Sequence, residues 1–440
     1  MEASSAAARP IDRRRQIILT LAAVFAGIGF PAVAFSKGVM AAVAAISFVC
    51  AAIVVLHHVD RRAVFADLKH PFSISIMVMF GAWLIAALAG IAPERSLTMW
   101  GASAGVVLCA WMLNTALRVD ERALVAALRA LIAASVIVVV IAVIAVYVWH
   151  GAIDPFGNRG VDGLHNARQK LKSFGPVLPC LAPVVLWAGF RLGGRWRIAG
   201  FVFLVLAAAI VPRVASKDGM LGAGLVILVP ALAIVFVRLP RPWRMVYAGT
   251  VIAVTLAAAL TIVAYLPKPP VRGLADFRIS KQIIDVHRQA IWGFAVDWAW
   301  RSPVIGHGPD ASRNLPGANR RVGWFAAEYV PAHNHNWILQ AWVESGFLGL
   351  AAMLVAVIML FLRFLRGAAR GAGAGWAGVG LMAAFFGSWL VNFSLWAIWW
   401  QLGFLLLVAI VASDPRLAGK QRLAPQPRSG HEFPSTRLPQ

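Results

Sequence analysis

The chain alternates apolar stretches of about 20 residues with short, arginine-rich polar breaks, and that length carries a helix across ~30 Å of hydrocarbon. Twelve stretches follow this pattern: 17–36, 38–58, 71–92, 97–117, 129–149, 175–190, 198–212, 219–237, 245–266, 336–362, 374–392 and 395–412. They predict an all-α polytopic membrane protein of about 12 transmembrane helices, with one large outside loop, 267–335, before the tenth. The breaks on the other side each carry three basic residues: Arg61, Arg62 and Lys69; Arg118, Arg122 and Arg129; Arg191, Arg195 and Arg197; Arg238, Arg241 and Arg244; Arg363, Arg366 and Arg370. By the positive-inside rule that side is cytoplasmic, and both termini face it. The first stretch follows Arg13 to Arg15 and lacks a small-residue cleavage site, so it reads as a retained anchor. Residues 1–413 read as one transmembrane domain, and the polar, Pro-rich 414–440 as a disordered cytoplasmic tail.

Composition agrees: the chain is 60% hydrophobic and 13% charged, too apolar for a soluble domain of this size. The net charge of +23 gains meaning from its placement. Nine of the 41 Lys and Arg fall in 267–335 and four in 150–174, while Arg213 and Lys217 share one short turn; this concentration predicts an anionic partner on the outer face. Basic residues split across a membrane, with no recognition fold, exclude a nucleic-acid partner. Cys50, Cys109 and Cys180 lie apart within apolar stretches, so neither a disulfide frame nor a thiolate metal site is expected.

The densest polar cluster next to a span is "PAHNHNWILQAWVESGFLGL", residues 331–350. Its composition predicts a helix start near Asn334 to Asn336, with His335 in the first turn. Counting 100° per residue puts Trp342, Gly346 and Gly349 on the face of His335, where the two glycines would admit a neighbouring helix. Glu344 falls on the opposite face, ~13 Å deeper, where pairing with a polar group between helices is the expected role. His307, in "IGHGPD", reads as turn structure, and His307, His333 and His335 form only a weak zinc pattern, without an H-E-x-x-H or a Cys pair. The segment 277–300 is expected to contain a helix.

His335-Asn336 followed nine residues later by Gly346-x-x-Gly349 resembles the signature of the O-antigen ligase family, within the wider group that includes Wzy-type polymerases. Two further stretches are similar to family segments. One is "SKQIIDVHRQAIWGFAVDWAWRSPVIGHGPD", with Arg288, Trp292, Pro303, Gly306, Gly308 and Pro309; the other is "VASKDGMLGAGL", with Lys217 in an arginine position and Asp218 inserted. The resemblance implies a metal-independent, cofactor-free glycosyltransferase of the bacterial inner membrane. Its periplasmic site would move a glycan from undecaprenyl diphosphate to lipid A core oligosaccharide. His335 would be the general base, with Arg288 and Lys217 as cations at the diphosphate and Arg213 able to add a guanidinium fork. His333, Asn336 and Arg168 are expected substrate contacts, and Gly346 and Gly349 a helix-packing motif. Arg288 has a plain alternative, an ion pair with Asp285. A polymerase joining one lipid-linked repeat to another shares donor and base, and a lipid-linked sugar flippase is the competing transporter reading; clean spans beside an outer basic platform favour transfer at a surface.

Overall fold

The computed structural model describes residues 13–60, 62, 67–154, 163–214, 216–322 and 327–418. Arg61 and most of the expected tail, 419–440, lie outside the described residues. Helices account for nearly all regular structure: α1 (Arg13–Gly29), α2 (Lys37–His58), α3 (Pro71–Ala89), α4 (Pro93–Leu117), α5 (Glu121–Tyr147), α6 (Gly163–Lys170), α7 (Val177–Leu192), α8 (Arg195–Ile210), α9 (Lys217–Arg238), α10 (Arg241–Tyr265), α11 (Val286–Arg301), α12 (Trp337–Ala369), α13 (Gly373–Trp389) and α14 (Ile398–Ala412). Their starts are written in the sequence. Ser36, Asp120 and Ser216 accept the N–H groups of Val39, Arg122 and Gly219 at 3.0, 2.9 and 3.1 Å, and Pro71 and Pro93 open α3 and α4, where no N–H is needed.

Each of the twelve expected stretches falls on a helix, but length and composition alone license fewer crossings. Among the described residues seven helices are long and apolar enough: α2, α3, α4, α5, α9, α10 and α12; an eighth crossing arises if the pair Gly163–Ser173 and Val177–Leu192, bent by 63°, counts as one span. The helices α1, α8, α13 and α14 have 17, 16, 17 and 15 residues, and at ~1.5 Å per residue they stop short of a full hydrocarbon core.

The helices pack α1 on α2 and α5, α3 on α12, α7 and α9 on α13, and α4 on α14. Close approach relies on small residues: a Cβ on Gly27 would stand 2.4 Å from the Ala127 carbonyl, and one on Gly375 2.2 Å from the Ala368 nitrogen. α10 buries no residue and packs chiefly along α9. Arginines tie the end expected to be cytoplasmic: Arg118 pairs with Asp67 at 3.0 Å, Arg191 with Glu121 at 2.5 Å, and Arg370 donates to the Leu417 carbonyl at 2.9 Å.

The expected helix within 277–300 is α11, started by Asp285, whose carboxylate accepts the Arg288 N–H at 3.0 Å. α12 departs from the simple picture at two points. It begins at Trp337, because the Asn336 side chain accepts the N–H groups of Ile338 and Leu339 at 3.0 and 3.1 Å, so His335 precedes the helix instead of lying in its first turn. The helix also breaks at Gly346 (φ 63°, ψ −171°), a backbone that only glycine adopts freely, so no single helical wheel runs from His335 to Gly349.

Candidate functional site

The break at Gly346 is filled by the turn after α11. Phe347 and Leu348 donate to the Pro303 and Val304 carbonyls at 2.7 and 3.1 Å, while Val343 and Glu344 carbonyls accept from His307 and Gly308 at 3.1 and 2.8 Å. A Cβ on Gly346 would lie 2.1 Å from the Val304 carbonyl oxygen. Gly346 therefore receives an irregular segment, not the neighbouring span expected of a packing motif. Gly349 does face a helix: a Cβ added there would stand 3.0 Å from Trp83 of α3, and 2.3 Å from its own helix's Ser345. The same turn is held from the other side by the α3–α4 connection. Ile91 donates to the His307 carbonyl at 2.9 Å, Ser96 to the Pro309 carbonyl at 2.8 Å, and Arg95 pairs with Asp310. His307 itself is turn structure, its Nε2 lying 3.0 Å from the Trp298 carbonyl.

Glu344 is fully buried and gathers donors from three segments. Asp310 N–H reaches it at 3.0 Å, Ser312 N–H and Oγ at 3.2 and 2.5 Å, and Gln340 Nε2 at 3.1 Å, with Trp396 Nε1 completing the shell. A buried carboxylate surrounded in this way holds segments together, the pairing role that its sequence position implied. Ser312 also receives Asn334 Nδ2 at 3.0 Å, and Trp292 Nε1 donates to the Asn334 carbonyl at 3.0 Å. The loop carrying the two histidines is thus pinned on both sides.

His335 adopts a left-handed backbone, φ 52°, uncommon for a side chain with a Cβ, and its ring lies against His333 with centroids 4.1 Å apart. His333 Nε2 donates to the Asn392 carbonyl at 3.0 Å. Burial pushes the His335 imidazole down to about 3; the neighbouring charges of His333, Arg288 and His287 add to this, and the Asn392 carbonyl opposes it. His333 is pushed down to about 4, again mainly by burial, with Arg313 and Arg288 adding to it. Both rings are neutral at pH 7, the form that can accept a proton. Nδ1 of His335 is buried without a partner, while the ring also feels the Asn392 carbonyl.

Of the expected cations, Arg288 belongs to this cluster, through its effect on both rings, while its Nη1 pairs with Asp285 at 3.1 Å. The plain alternative for Arg288, an ion pair with Asp285, is therefore present. Lys217 and Arg213 are exposed and make no contact with the imidazoles; Arg213 lies 6.0 Å above the Tyr147 ring. Arg168, on α6, is half-buried, with its Nε buried and unpartnered. Asn336 spends its side-chain oxygen on capping α12, so only its NH2 is left to meet a substrate. Among the described residues no three His, Cys, Asp or Glu side chains stand together as a metal site.

The residues that sequence reading missed join the histidines to the 213–217 turn. Asp218, treated as an insertion, is 3% exposed and accepts from Ser216 Oγ at 2.6 Å and from Asn392 Nδ2. Asn392 and Trp396 lie in the α13–α14 connection, where a lone Asn within "WLVNFSLWAIWW" was the available signal. No curated protein matches the chain. Residues 204–354, which carry the 213–217 turn, Arg288, both histidines, Glu344 and Gly346, match the family model described as O-Antigen ligase.

Proposed function

We propose that the protein transfers a glycan from undecaprenyl diphosphate to a hydroxyl of lipid A core oligosaccharide, at the periplasmic face of the bacterial inner membrane. The observation that carries this reading is a pair of half-buried imidazoles in ring contact, held neutral by desolvation and by the charge of Arg288, inside the segment matched to the O-antigen ligase family model. His335 takes the proton from the acceptor hydroxyl as its oxygen attacks the anomeric carbon. The bond from that carbon to the diphosphate oxygen breaks, and the electron pair leaves with the diphosphate. Charge gathers on the leaving group as it departs, so fixed cations stabilise the transition state more than the ground state. Arg288 provides the near cation, and Lys217 and Arg213 the outer ones. Attack opposite the leaving group inverts the anomeric centre. Asn336 Nδ2 and Arg168 contact the substrates, and no metal takes part.

The topology that goes with this reading has twelve crossings, both termini in the cytoplasm, and loop 267–335 outside. Short helices such as α13 and α14 cross because they are wrapped by other helices, which shield their ends from lipid.

The test is the lipopolysaccharide of a null strain complemented with wild type or His335→Ala. Unmodified core with intact lipid-linked polymer in both the null and the variant supports the ligase. Core bearing a single repeat instead identifies a polymerase, and donor trapped on the inner leaflet identifies a transporter. Full ligation by His335→Ala overturns the base assignment.

A further inference from the structure

A buried carboxylate outside the expected machinery lies two hydrogen bonds from the imidazole pair. Asp218 stands in the first turn of α9, 3% exposed. Helix capping does not explain it, because Ser216 already caps α9, accepting the Gly219 N–H at 3.1 Å. The Ser216 hydroxyl donates a hydrogen bond to Asp218 Oδ1 at 2.6 Å, and Asp218 Oδ2 accepts from Asn392 Nδ2. Ser388 Oγ holds the Asp218 carbonyl at 3.1 Å, which ties α9 to the end of α13.

The second link is directional as well. A carbonyl only accepts, so the 3.0 Å contact between His333 and the Asn392 carbonyl requires the proton on His333 Nε2, with the lone pair on Nδ1. The turn that presents this carbonyl is itself braced, since Trp389 Nε1 donates to the Ser394 carbonyl at 3.0 Å and the Trp396 N–H to Ser394 Oγ at 3.1 Å. The ring so fixed lies against His335, which holds a left-handed backbone and whose own ring also feels the Asn392 carbonyl.

We propose that Asp218 is a positioning residue which, through Asn392, fixes the tautomer and place of His333, and through that ring the orientation of His335. The inference rests on the reading of His335 as the base. The inserted acid of the "SKDG" stretch then has a role of its own, while Lys217 beside it faces outward.

The test is transfer by purified protein in lipid nanodiscs, with undecaprenyl diphosphate-linked glycan as donor and lipid A core as acceptor. Variants are Asp218→Ala, Asn392→Ala, their double, His333→Phe, His333→Gln and His335→Ala. A misplaced base costs roughly tenfold to a hundredfold in kcat, with KM for both substrates within about twofold of wild type, and this is expected for Asp218→Ala. Residues acting in one chain are non-additive, so the double variant is expected to fall no further than the worse single one. His333→Phe keeps the ring but has no N–H and is expected to lose kcat, whereas His333→Gln, with an amide N–H that reaches toward the same carbonyl, is expected to recover most of it. Additive losses, a change in KM instead of kcat, or equal activities for His333→Phe and His333→Gln overturn the proposal. The histidine pair decides the matter even where Asp218→Ala does not fold. Loss of activity in His335→Ala with full kcat in Asp218→Ala removes this inference alone; full activity in His335→Ala removes the base assignment and the inference with it.

Discussion

A histidine acting as a base at neutral pH needs to be unprotonated and aimed, and the site supplies both by burial and by hydrogen bonds from neighbouring segments. His335 and His333 are pushed down to about 3 and about 4, so neither takes a proton near the ordinary histidine value of 6.5. The pH profile of kcat/KM, which reports the free enzyme, is accordingly expected to stay flat through pH 6 to 7 and to fall only in stronger acid. Stability carries a matching signature. In the unfolded chain these histidines protonate as pH falls through 6.5, while the folded ones resist until about 4 and about 3. The unfolded state then binds more protons, and stability held above pH 6.5 declines as acid is added. Thermal midpoints measured from pH 7.5 to 4.5 check the direction. Trp292 acts on the same loop through its Nε1 bond to the Asn334 carbonyl. Trp292→Phe keeps the aromatic bulk and frees that carbonyl, and a loss of about 1 kcal/mol in stability is expected, with a larger relative loss in transfer rate.

At the scale of elements, the broken helix α12 is the device that joins membrane to loop. A continuous helix would satisfy its own backbone; the break at Gly346 instead frees N–H groups of Phe347 and Leu348 and carbonyls of Val343 and Glu344 to hold 303–308. Irregular backbone at this depth survives because protein surrounds it. Gly346→Ala forces a Cβ to within 2.1 Å of the Val304 carbonyl and strains a φ of 63°. Backbone strain alone costs about 1–3 kcal/mol, and the overlap adds to it, so denaturation in detergent is expected at clearly lower temperature than wild type. Glu344→Gln replaces one acceptor oxygen by a donor facing Ser312, Gln340, Trp396 and the Asp310 N–H. At least one buried donor loses its partner at a cost of about 1–3 kcal/mol. Limited proteolysis within 300–335 is expected to accelerate in this variant, since the acid tethers that loop to α12; a proteolysis pattern like wild type would show that the loop does not depend on it.

For the whole molecule, the charge distribution and the chain's alternation make one topological prediction. Single cysteines replacing Arg272 and Arg320, in a variant lacking Cys50, Cys109 and Cys180, are expected to react with a membrane-impermeant maleimide from the periplasmic side of intact inner membrane. Those replacing Arg241 and Arg370 are expected to react only after the membrane is opened. Labelling of both sets from one side would remove the proposed orientation, and with it the outer placement of the histidines. The two ends of the bundle are built differently. At the end marked by Arg118, Arg191 and Arg370, two ion pairs and an arginine-to-carbonyl hydrogen bond join neighbouring helices and loops; at the other, long connections fold back over the helix ends and supply the polar groups of the site.

Local pattern was enough to place the helices, because a span of apolar residues between arginines has few alternatives in a bilayer, and helix starts need only a side-chain oxygen or a proline nearby. It also marked Glu344, since an ionisable group within an apolar run is costly unless it is paired, whereas Arg288 and the role given to His335 came from resemblance to family segments. Contacts between segments distant in the chain were beyond it. Asp218 meets Asn392 across 174 residues and Glu344 meets Trp396 across 52, and neither pairing leaves a period or spacing to read. The helix break at Gly346 was hidden for the same reason: in an apolar run a glycine is equally suited to close packing and to a left-handed turn. Only the tertiary structure decides between them, by bringing 303–308 to the backbone groups that the break exposes.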